Sequence, residues 1–547
     1  MTKFTIEQCQ PDFSRALSMR DADSTALEQK EWTQLFPVVK KMVSHFKCLP
    51  QSLMIFNAYN WYAAEAVLNE HLKDVPSLFL QDYDKQCLFG RLTIDSAGKG
   101  NVSEGLISKL DNGVLVLHIS PLLSIPQLWF SLKRFLLTQQ VNVQSAVNAT
   151  RFKGELQQIQ EKKLSTKIIL VANRFQLDEL TQIDPEFTQI QSIFCELPND
   201  IISNDHNIVA LKTFCQNLIS EKQLPPLSDD AFNCLFADLS KYCEHQKRIL
   251  FAPELIENTL RYAQLFSNNE KELPQKALQQ AFNIQDDAQS QARQFSEQAL
   301  LEKQINIQLS GESVGQINGL SVVELMGYPT EFGEVFRISA SDMMGDGEIV
   351  DVERKVELAG NIHAKSTLIV QGYINHFFTH LPSFPLSCNL VFEQSYQESD
   401  GDSASLAMLL AVTSSYSVTP LLQNVFVTGA LDQHGNVLAI GGINYKIKSV
   451  TRLFALGLLS NPVTIIMPKA NQINLTLDQE TLVLLAAEKI NIHGIEHSKE
   501  AFPLAMNCTF KETIEKIDKR ISLLLQKSDQ FDEDPPSFIN KISDLFR

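Results

Sequence analysis

The amino-acid sequence predicts a multidomain protein that combines α/β and α+β architecture. Its 547 residues exceed what a single hydrophobic core supports, so we expect two to four domains. Short apolar runs rich in branched residues alternate with helical patterns in two regions, and a purely helical region lies between them. These observations predict an α/β module with a helical subdomain, followed by a second α/β domain.

Changes in the hydrophobic period place the boundaries between segments. We expect five segments: 1–75, helical and mixed; 76–204, an α/β domain; 205–304, a helical subdomain with a linker; 305–508, a second α/β domain; and 509–547, a helical tail. No internal repeats are evident across these segments.

Length and period predict the elements of the N-terminal half. Apolar residues at helical spacing indicate helices over 28–46 and 125–137. The runs 114–117 and 168–171 are short and branched, which is typical of buried parallel strands. Residues 284–305 are polar with helical spacing, and predict an exposed helix that links two domains.

Strands dominate the start of the C-terminal half. Strand patterns occur over 305–309, 322–325 and 335–339, and strands then alternate with helices up to about residue 508. Residues 510–525 predict an amphipathic helix. That helix either is solvated or docks on a partner.

Composition and charge exclude several classes of function. A net charge of −17 argues against a nucleic-acid partner, because phosphate backbones attract concentrated Lys and Arg. Nine scattered cysteines without a CxxC pair indicate reduced thiols, and eleven histidines without an HExxH spacing indicate no metal site. The first ten residues are polar, and no segment approaches the roughly 20 apolar residues that span a bilayer. We expect a cytoplasmic protein that is not attached to a membrane.

A nucleotide site is not expected in the first α/β domain. The phosphate-binding pattern GxxxxGK[ST] is absent, and its nearest approach, at 97–100, reads as a surface turn. The strand over 114–117 ends in His118 instead of the acidic residue that would hold magnesium. Asn173 follows the strand over 168–171, where it either senses a γ-phosphate or caps the strand end.

Ser403 is a candidate nucleophile. It lies in the sequence Asp-Gly-Asp-Ser-Ala-Ser over 400–405, which leads into an apolar helical run. Gly401 permits a tight backbone close to a substrate. A helix N-terminus favours an oxyanion through its unpaired amides and its dipole. The alternative is that Ser403 only caps the helix.

Lys446 is a candidate general base. If a helix begins near Ile443, then Ile443, Ile447 and Val450 form its apolar stripe and Lys446 lies beside it. Burial would lower the lysine pKa, and a value near 7 requires roughly 4–5 kcal/mol of desolvation. The neutral amine could then accept the Ser403 proton. The alternative is a lysine whose stem is buried and whose ammonium reaches water.

Further polar residues are candidates to support the pair. The hydroxyl of Thr428, at the end of an apolar strand, could orient the Lys446 amine, while Asp400, Asp402 and Glu393 could tune the site or simply be solvated. An alternative is that His363 is the base of Ser403 in a Ser–His–Asp triad, with Asp400 or Asp402 as the acid. A structural or groove-lining role for His363 is favoured.

The segments around these residues resemble the Lon protease family, whose peptidase domain uses a Ser–Lys dyad. The resemblance covers about 305–508, includes the serine-to-lysine separation of 43, and rests on these segments: 315–320, 332–334, 360–365, 392–396, 400–405, 428–429, 435, 441–442 and 464–471. The segments 88–91, 111–117 and 184–187 resemble the AAA+ module of the LonB-like branch. That module is degenerate here, because it lacks the phosphate loop.

The resemblance implies a function and an assembly. By this likeness, Ser403 is the nucleophile and Lys446 the base of a serine endopeptidase of the endopeptidase La type. Its substrates would be unfolded polypeptides, it would need no cofactor for peptide hydrolysis, and it would form a homo-oligomer, a hexamer in this family. Two alternatives stay open: an ATP-dependent protease with an atypical nucleotide site, and a non-catalytic regulatory or assembly protein that keeps the Lon shape.

Overall fold

The chain folds into two compact units. The computed structural model describes residues 1–18, 32–94, 100–141, 144–145, 163–267, 271–355, 360–394 and 401–533. The N-terminal unit comprises Phe13–Cys243 and Arg248–Phe282, and the C-terminal unit comprises Met1–Asp12, Glu244–Lys247 and Asn283–Arg547. Each unit has its own sheet and its own hydrophobic core.

Strands occur throughout the described chain. They are β1 Thr2–Lys3, β2 Leu53–Asn57, β3 Ser77–Leu80, β4 Gly90–Ile94, β5 Gly100–Glu104, β6 Val114–His118, β7 Gln144–Ser145, β8 Lys167–Ala172, β9 Ser192–Glu196, β10 Asp200–Ile202, β11 Arg248–Leu250, β12 Glu312–Ser313, β13 Gln316–Val323, β14 Phe332–Met344, β15 Ile349–Asp351, β16 Leu386–Glu393, β17 Leu421–Leu422, β18 Val425–Val427, β19 Ala430–Leu431, β20 Val437–Leu438, β21 Val463–Pro468 and β22 Ile490–Ile495.

Helices connect and cover these strands. They are α1 Ser14–Leu17, α2 Pro37–Cys48, α3 Trp61–His71, α4 Lys85–Phe89, α5 Leu106–Lys109, α6 Ser120–Ser124, α7 Pro126–Thr138, α8 Arg174–Ile183, α9 Asp205–Glu221, α10 Asp229–Lys241, α11 Pro253–Leu265, α12 Gln275–Ala288, α13 Gln291–Leu301, α14 Val352–Lys355, α15 Asn361–His376, α16 Ser405–Ser417, α17 Ile443–Ala455, α18 Gln479–Ala486, α19 Phe502–Met506 and α20 Phe510–Glu533.

The N-terminal unit is built on a five-stranded parallel sheet in the order β3-β6-β8-β2-β9. Its central strands are apolar throughout, because helices cover both faces of a parallel sheet. Side chains alternate between two cores: Phe56 and Val116 join one of them, while Ile55 and Leu115 join the other. An α/β domain was expected over 76–204, but its sheet also takes in β2 from the segment 1–75, and helices α9 to α12 follow it.

The C-terminal unit is built on an eight-stranded mixed sheet in the order β1-β22-β21-β18-β13-β14-β16-β15. Strands β13 and β14 form an antiparallel pair at its centre, and β18 lies parallel to β13. Ile317 and Leu320 on β13 point to opposite faces, since their separation is odd. Ile317 packs in the core that contains α16, and Leu320 packs in the core that contains α17. The two helices therefore cover opposite faces of this sheet.

Most of the predicted elements are present. The predicted strands over 114–117, 168–171 and 335–339 lie inside β6, β8 and β14, and the helix predicted over 125–137 is α7. Helix α17 begins at Ile443 as expected. The strand predicted over 322–325 ends two residues early, because β13 ends at Val323.

Two predicted helices are wrong in extent. The start of the helix predicted over 28–46 lies partly outside the described residues, and its remainder is a 3-10 turn over Trp32–Leu35 followed by α2. Pro37 begins α2 because proline lacks an amide hydrogen and disfavours helical backbone at the residue before it. The predicted helix over 284–305 divides at Ser290 into α12 and α13, and α13 is tied to the C-terminal unit by the bond of Ser296 Oγ to Glu334, 2.5 Å.

The strand predicted over 305–309 is absent. Side chains take up the backbone groups that a neighbouring strand would otherwise bind. The Asn306 amide donates to Gln394 Oε1 at 2.7 Å, and Asn318 Nδ2 donates to the Gln308 carbonyl at 2.8 Å. The segment is therefore irregular, although it is apolar and partly buried.

The two ends of the described chain belong to the C-terminal unit. Strand β1 pairs antiparallel with β22, although residues 1–75 were expected to form a separate segment. The tail helix α20 packs on the chain itself, with Ile517 and Ile521 buried in the core that contains α16. Arg520 donates to the Ser415 and Tyr416 carbonyls at the end of α16 and pairs with Asp342. The described part of α20 thus packs its apolar face on its own chain and leaves residues such as Leu523 exposed.

Within the described ranges, none of the helices has both the length and the hydropathy that crossing a bilayer requires.

The docking of α20 predicts a position-dependent loss of stability. Ile517→Ala should lower the free energy of unfolding of the C-terminal unit by about 2–5 kcal/mol, because it leaves a cavity beside α16. Urea unfolding followed by circular dichroism, with hydrogen exchange of the α16 amides, measures the loss. Leu523→Ala is the matched control, since Leu523 on the same helix is 60% exposed and should cost no more than about 0.5 kcal/mol. Equal losses in the two variants would contradict the docking.

Candidate active site

Ser403 lies in the turn that immediately precedes α16. The Gly429 amide donates to the Ser403 carbonyl at 2.7 Å, and the Leu406 amide donates to the Gly429 carbonyl at 3.1 Å. These reciprocal bonds fasten the turn to the chain that follows β18. The hydroxyl of Ser403 is therefore presented by a fixed backbone.

Ser405 stabilises this turn through the hydrogen bonds of its hydroxyl. Its side chain is fully buried, its hydroxyl donates to the Asp402 carbonyl at 2.7 Å, and it accepts from the Leu431 amide at 2.9 Å. Sequence reasoning missed Ser405. Nothing in the local pattern distinguishes it from a solvated serine, because its partner Leu431 lies beyond the end of β18.

Two glycines allow α17 to approach the sheet closely. Gly442 caps α17 with a φ of +64°, and a Cβ there would lie 2.5 Å from Val322 on β13. A Cβ on Gly333 of β14 would lie 2.0 Å from the Tyr445 carbonyl. Larger residues at these positions would push α17 away, since packed backbones cannot give by that much. The first turn of α17, with Lys446, is thereby held against β13 and β14.

The structure brings Ser403, Lys446 and Thr428 together. Lys446 Nζ lies 2.9 Å from Ser403 Oγ and 3.4 Å from Thr428 Oγ1. The Thr428 hydroxyl also donates to the Ser403 carbonyl at 3.3 Å. Lys446 is only 3% exposed, so its amine lies inside the protein and does not reach into water as the alternative required. This geometry matches a nucleophile, a base and a hydroxyl that orients the base.

Burial controls the protonation of Lys446. It lowers the pKa of the amine from 10.5 to about 8, while the carboxylates of Asp402 and Glu244 act in the opposite direction. The sequence suggested a pKa near 7. Negative charge opposes the effect of burial: Asp402 was among the candidate acids of the site, whereas Glu244 was not predicted. A substantial fraction of neutral amine is present slightly above neutral pH.

The other predicted supporting residues take different roles. Asp400 lies outside the described residues. The Asp402 carboxylate raises the pKa of Lys446, which is the tuning role considered for it, and its carbonyl accepts hydrogen bonds within the turn. Glu393 accepts from the Ser339 hydroxyl at 2.5 Å and lies 3.7 Å from Arg337, so its partners are on β14. Gly401 does not have a positive φ, and a Cβ there would meet open space, so the conformational reason proposed for this glycine is wrong.

His363 is not placed as the base of Ser403. Its side chain is buried on α15, its Nε2 lies 2.9 Å from Asp351 Oδ2, and its ring packs edge-on against Phe392. Asp351 in turn accepts from the Thr367 hydroxyl at 2.8 Å. The role of His363 is structural, as favoured.

Asn173 acts as a helix cap. Its side chain accepts from the Gln176 amide at 2.9 Å at the start of α8, and Gln176 returns a bond to the Asn173 amide. His118 ends β6, and burial lowers its pKa. The turn proposed over 97–100 lies outside the described residues except for Gly100. Among the described residues, no three His, Cys, Asp or Glu side chains gather in a way that could hold a metal.

The desolvated amine predicts a stability gain when it is removed. At pH 7 Lys446 is protonated in both the folded and the unfolded protein, so its burial costs free energy. Lys446→Met should therefore raise the free energy of unfolding of the C-terminal unit by about 1–3 kcal/mol. The gain should shrink as pH rises above about 8 and vanish near 10.5, where the amine is neutral in both states. Urea unfolding at a series of pH values measures it.

Lys448→Met provides the control for this substitution. Lys448 on the same helix is 27% exposed and pairs with Asp286 at 3.1 Å and Asp478 at 3.3 Å. Its replacement should bring no gain at any pH. A Lys446→Met protein that is no more stable than wild type at pH 7 would show that the amine is solvated.

Comparison with known proteins identifies two domains. Residues 83–197 match the family model of the LonB-like AAA domain, and residues 301–507 match that of the Lon protease (S16) C-terminal proteolytic domain. The second match contains Ser403, Thr428 and Lys446.

Bacterial relatives are similar along most of the chain. A Lon protease homolog of Escherichia coli is 30% identical over 422 residues, which cover 75% of this chain and 69% of that protein. One of Haemophilus influenzae is 32% identical over 429 residues, 77% of this chain and 69% of that protein. An archaeal Lon protease of Thermococcus kodakarensis is 28% identical over 205 residues, 37% of this chain and 29% of that protein. The chain therefore belongs to the Lon protease family and carries the proteolytic domain of that family.

Proposed function

We propose that this protein is a serine endopeptidase that hydrolyses peptide bonds with Ser403 as nucleophile and Lys446 as general base. The observation that carries the proposal is the 2.9 Å approach of a buried Lys446 amine, whose pKa burial lowers to about 8, to the Ser403 hydroxyl. A neutral amine at this distance can accept the hydroxyl proton.

The proposed reaction has two halves. The Ser403 hydroxyl attacks the peptide carbonyl carbon while Lys446 Nζ takes its proton. The tetrahedral intermediate then collapses, Lys446 gives that proton to the leaving amine, and an acyl-enzyme is left on Ser403. A water molecule then attacks the ester carbonyl carbon while Lys446 takes its proton. Collapse of the second tetrahedral intermediate breaks the bond to Ser403 Oγ and releases the carboxylic acid, and Lys446 returns the proton to the Ser403 oxygen.

Backbone amides of 401–403 are the candidate donors to the oxyanion. The first amides of α16 are occupied, since Ser405 donates to the Asp402 carbonyl and Leu406 donates to the Gly429 carbonyl. The turn itself, at the positive end of the α16 dipole, is therefore the place where developing negative charge is stabilised.

Thr428 positions the amine in this scheme. Its hydroxyl lies 3.4 Å from Lys446 Nζ and 3.3 Å from the Ser403 carbonyl, so it connects the base with the turn that carries the nucleophile. A second contact restricts the rotation of the long lysine side chain. This keeps the lone pair of the neutral amine directed at Ser403.

The residues after β2 of the N-terminal unit do not fit a phosphate-binding loop. Only Ala58, Tyr59 and Asn60 connect β2 to α3, too few for GxxxxGK[ST] between a strand and a helix. Asn60 also accepts from the Tyr62 and Ala63 amides, so the protein's own side chain occupies the helix N-terminus that a phosphate would use. The Glu254 carboxylate bonds to the same asparagine and would repel phosphate. We infer peptide hydrolysis without ATP hydrolysis.

The absence of a phosphate loop bears on the substrate. Without an ATP-driven motor a folded protein cannot be pulled into the site, so we propose unfolded or loosely structured polypeptides as substrates. A homo-oligomer in the cytoplasm, a hexamer by family likeness, is part of the same proposal.

Two other functions are alternatives to the proposed ATP-independent peptidase. A non-catalytic assembly protein would not need a nucleophile and a desolvated base in contact, so the Ser403–Lys446 geometry argues against it. An ATP-dependent protease could bind nucleotide through atypical residues around a cavity of about 770 Å³ lined in part by Asn57, Asn173 and Glu196. The cation beside this cavity, Arg174, is already paired with Glu196 at 2.6 Å.

Removal of either dyad member should abolish proteolysis. Ser403→Ala removes the attacking oxygen and Lys446→Ala removes the base, so each should reduce casein cleavage by roughly 10³-fold or more. Cleavage is followed by release of labelled peptides without ATP.

Matched variants and active-site labelling complete this experiment. Ser460→Ala and Lys448→Ala change exposed or paired residues away from the dyad and should retain activity. A fluorophosphonate should label wild-type protein at Ser403 and leave Ser403→Ala unlabelled. Full casein cleavage by Ser403→Ala would refute the mechanism, and an unreactive wild type would favour the assembly role.

Nucleotide should have no effect on this protein. Isothermal titration of the full chain with ATP and magnesium should give flat heats, and the casein cleavage rate should be the same with and without ATP. Saturable binding heats together with faster cleavage would instead support the ATP-dependent alternative. Asn173→Ala would then test whether the cavity is the site.

A further inference from the structure

A short stretch of chain far from Lys446 in sequence joins its surroundings. The segment Glu244–Lys247 belongs to the C-terminal unit, although the residues before and after it belong to the N-terminal unit. The Gln246 amide donates to the Ile473 carbonyl at 2.8 Å, and Gln246 Nε2 donates to the Gln8 and Leu475 carbonyls, both at 2.8 Å. These bonds attach the segment to the 3-10 helix Lys469–Asn474 and its flanks.

Glu244 reaches the start of the helix that carries Lys446. Its Oε2 accepts from the Gly442 amide at 3.2 Å, and its carbonyl accepts from Asn474 Nδ2 at 2.9 Å. Gly442 is the N-cap of α17 and has no side chain of its own to satisfy the helix terminus. A carboxylate at this end is favourable, because it meets unpaired amides and the positive end of the helix dipole.

The residue that Glu244 contacts, Gly442, is itself hydrogen-bonded to Lys446. The Lys446 amide donates to the Gly442 carbonyl at 3.1 Å, so the residue held by Glu244 forms the first helical bond with the candidate base. The same helix start is held by Asn444, whose side chain donates to the Asn474 carbonyl at 2.9 Å and accepts from the Thr476 amide at 2.8 Å. Asn474 thus touches both Glu244 and α17.

We propose that Glu244 is a positioning residue for the Ser403–Lys446 pair, which acts by capping α17 and by placing negative charge beside the amine. This inference rests on the proposed peptidase function. It assigns a part in that function to a residue that lies outside the matched proteolytic domain, 301–507.

The charged groups around Glu244 determine the sign of its effect. Glu244 and Asp402 both raise the pKa of Lys446 against the lowering caused by burial. Burial raises the pKa of Glu244 itself, the Gly442 hydrogen bond lowers it, Glu331 raises it and Lys446 lowers it. Tyr445, whose pKa is raised by burial and by the Glu244, Glu331 and Asp286 carboxylates, also faces this group. Removing the Glu244 charge therefore favours the neutral amine.

Two substitutions separate the cap from the charge. Glu244→Gln keeps an oxygen that can accept from the Gly442 amide and removes the charge, while Glu244→Ala removes both. Glu488→Gln is the matched control, because the Glu488 side chain is 81% exposed, its carboxylate lies 3.9 Å from Lys3 Nζ, and its loss changes the net charge equally. Thermal unfolding checks that all three variants are folded.

The readouts are the pH profile of casein kcat/KM and the rate of Ser403 labelling by a fluorophosphonate. For Glu244→Gln the rate at high pH should stay within about twofold of wild type, and the midpoint of the acid limb should move to lower pH by about half a pH unit. For Glu244→Ala the rate at high pH should fall by roughly tenfold or more, because the base is no longer fixed at the nucleophile. Glu488→Gln should match wild type.

An independent measurement tests the cap without using activity. Hydrogen exchange of the amides of 442–446 should be faster in Glu244→Ala than in Glu488→Gln, and close to wild type in Glu244→Gln. Unchanged exchange in Glu244→Ala would overturn the capping role, and an unmoved acid limb in Glu244→Gln would overturn the electrostatic role. A wild type whose Ser403 does not react would instead refute the proposed peptidase, while the exchange result would still decide the cap.

Discussion

The placement of a lysine amine inside the protein, against a serine hydroxyl, is the constraint on which the C-terminal unit depends. Water would keep that amine charged, so the fold has to exclude water while still presenting the serine at a turn. It does so with two helices on opposite faces of one sheet. Helix α16 is buried along its whole length and directly follows the turn that holds Ser403, while α17 brings Lys446 to the same end of β18.

The packing around this pair explains several residues that would otherwise look incidental. Gly442 and Gly333 are small because a Val322 side chain of the sheet fills the space beside Gly442 and the α17 backbone at Tyr445 fills the space beside Gly333. Ser405 is buried because it ties the turn to the chain after β18. Each of these residues helps to set the distance between Ser403 Oγ and Lys446 Nζ, although none of them contacts a substrate in the proposed reaction. These three residues lie on β14, on α16 and at the start of α17.

Local patterns nominated Ser403 and Lys446 as candidates, and the family resemblance joined them as a pair, but neither predicted what surrounds them. The stripe of Ile443, Ile447 and Val450 placed Lys446 beside the core, while spacing left open whether its amine was buried or reached water. The long strands and helices followed from periodicity. Glu244 could not be found in this way, because it is 198 residues from the glycine it contacts and no local period connects them. The break before α2 was missed because apolar spacing continues through Pro37, whereas the backbone cannot.

The N-terminal unit has the parallel sheet of an AAA domain. In its connection from β2 to α3, the Asn60 side chain occupies the amides at the start of the helix. A sheet of this kind retains its core without the ligand, since Phe56, Val116 and their neighbours pack on helices and make no use of phosphate. The packing of this sheet therefore does not require a bound nucleotide.

The pairing of β1 with β22 affects how this protein can be divided. A fragment that starts near residue 301, where the match to the proteolytic domain begins, would lack both β1 and the Glu244–Lys247 segment. Its sheet would then end in β22, an apolar strand with one row of unsatisfied amides and carbonyls that could join the strands of other molecules. The first dozen residues thus shield the sheet against self-association, and an excised domain would need a substitute for them to stay monodisperse.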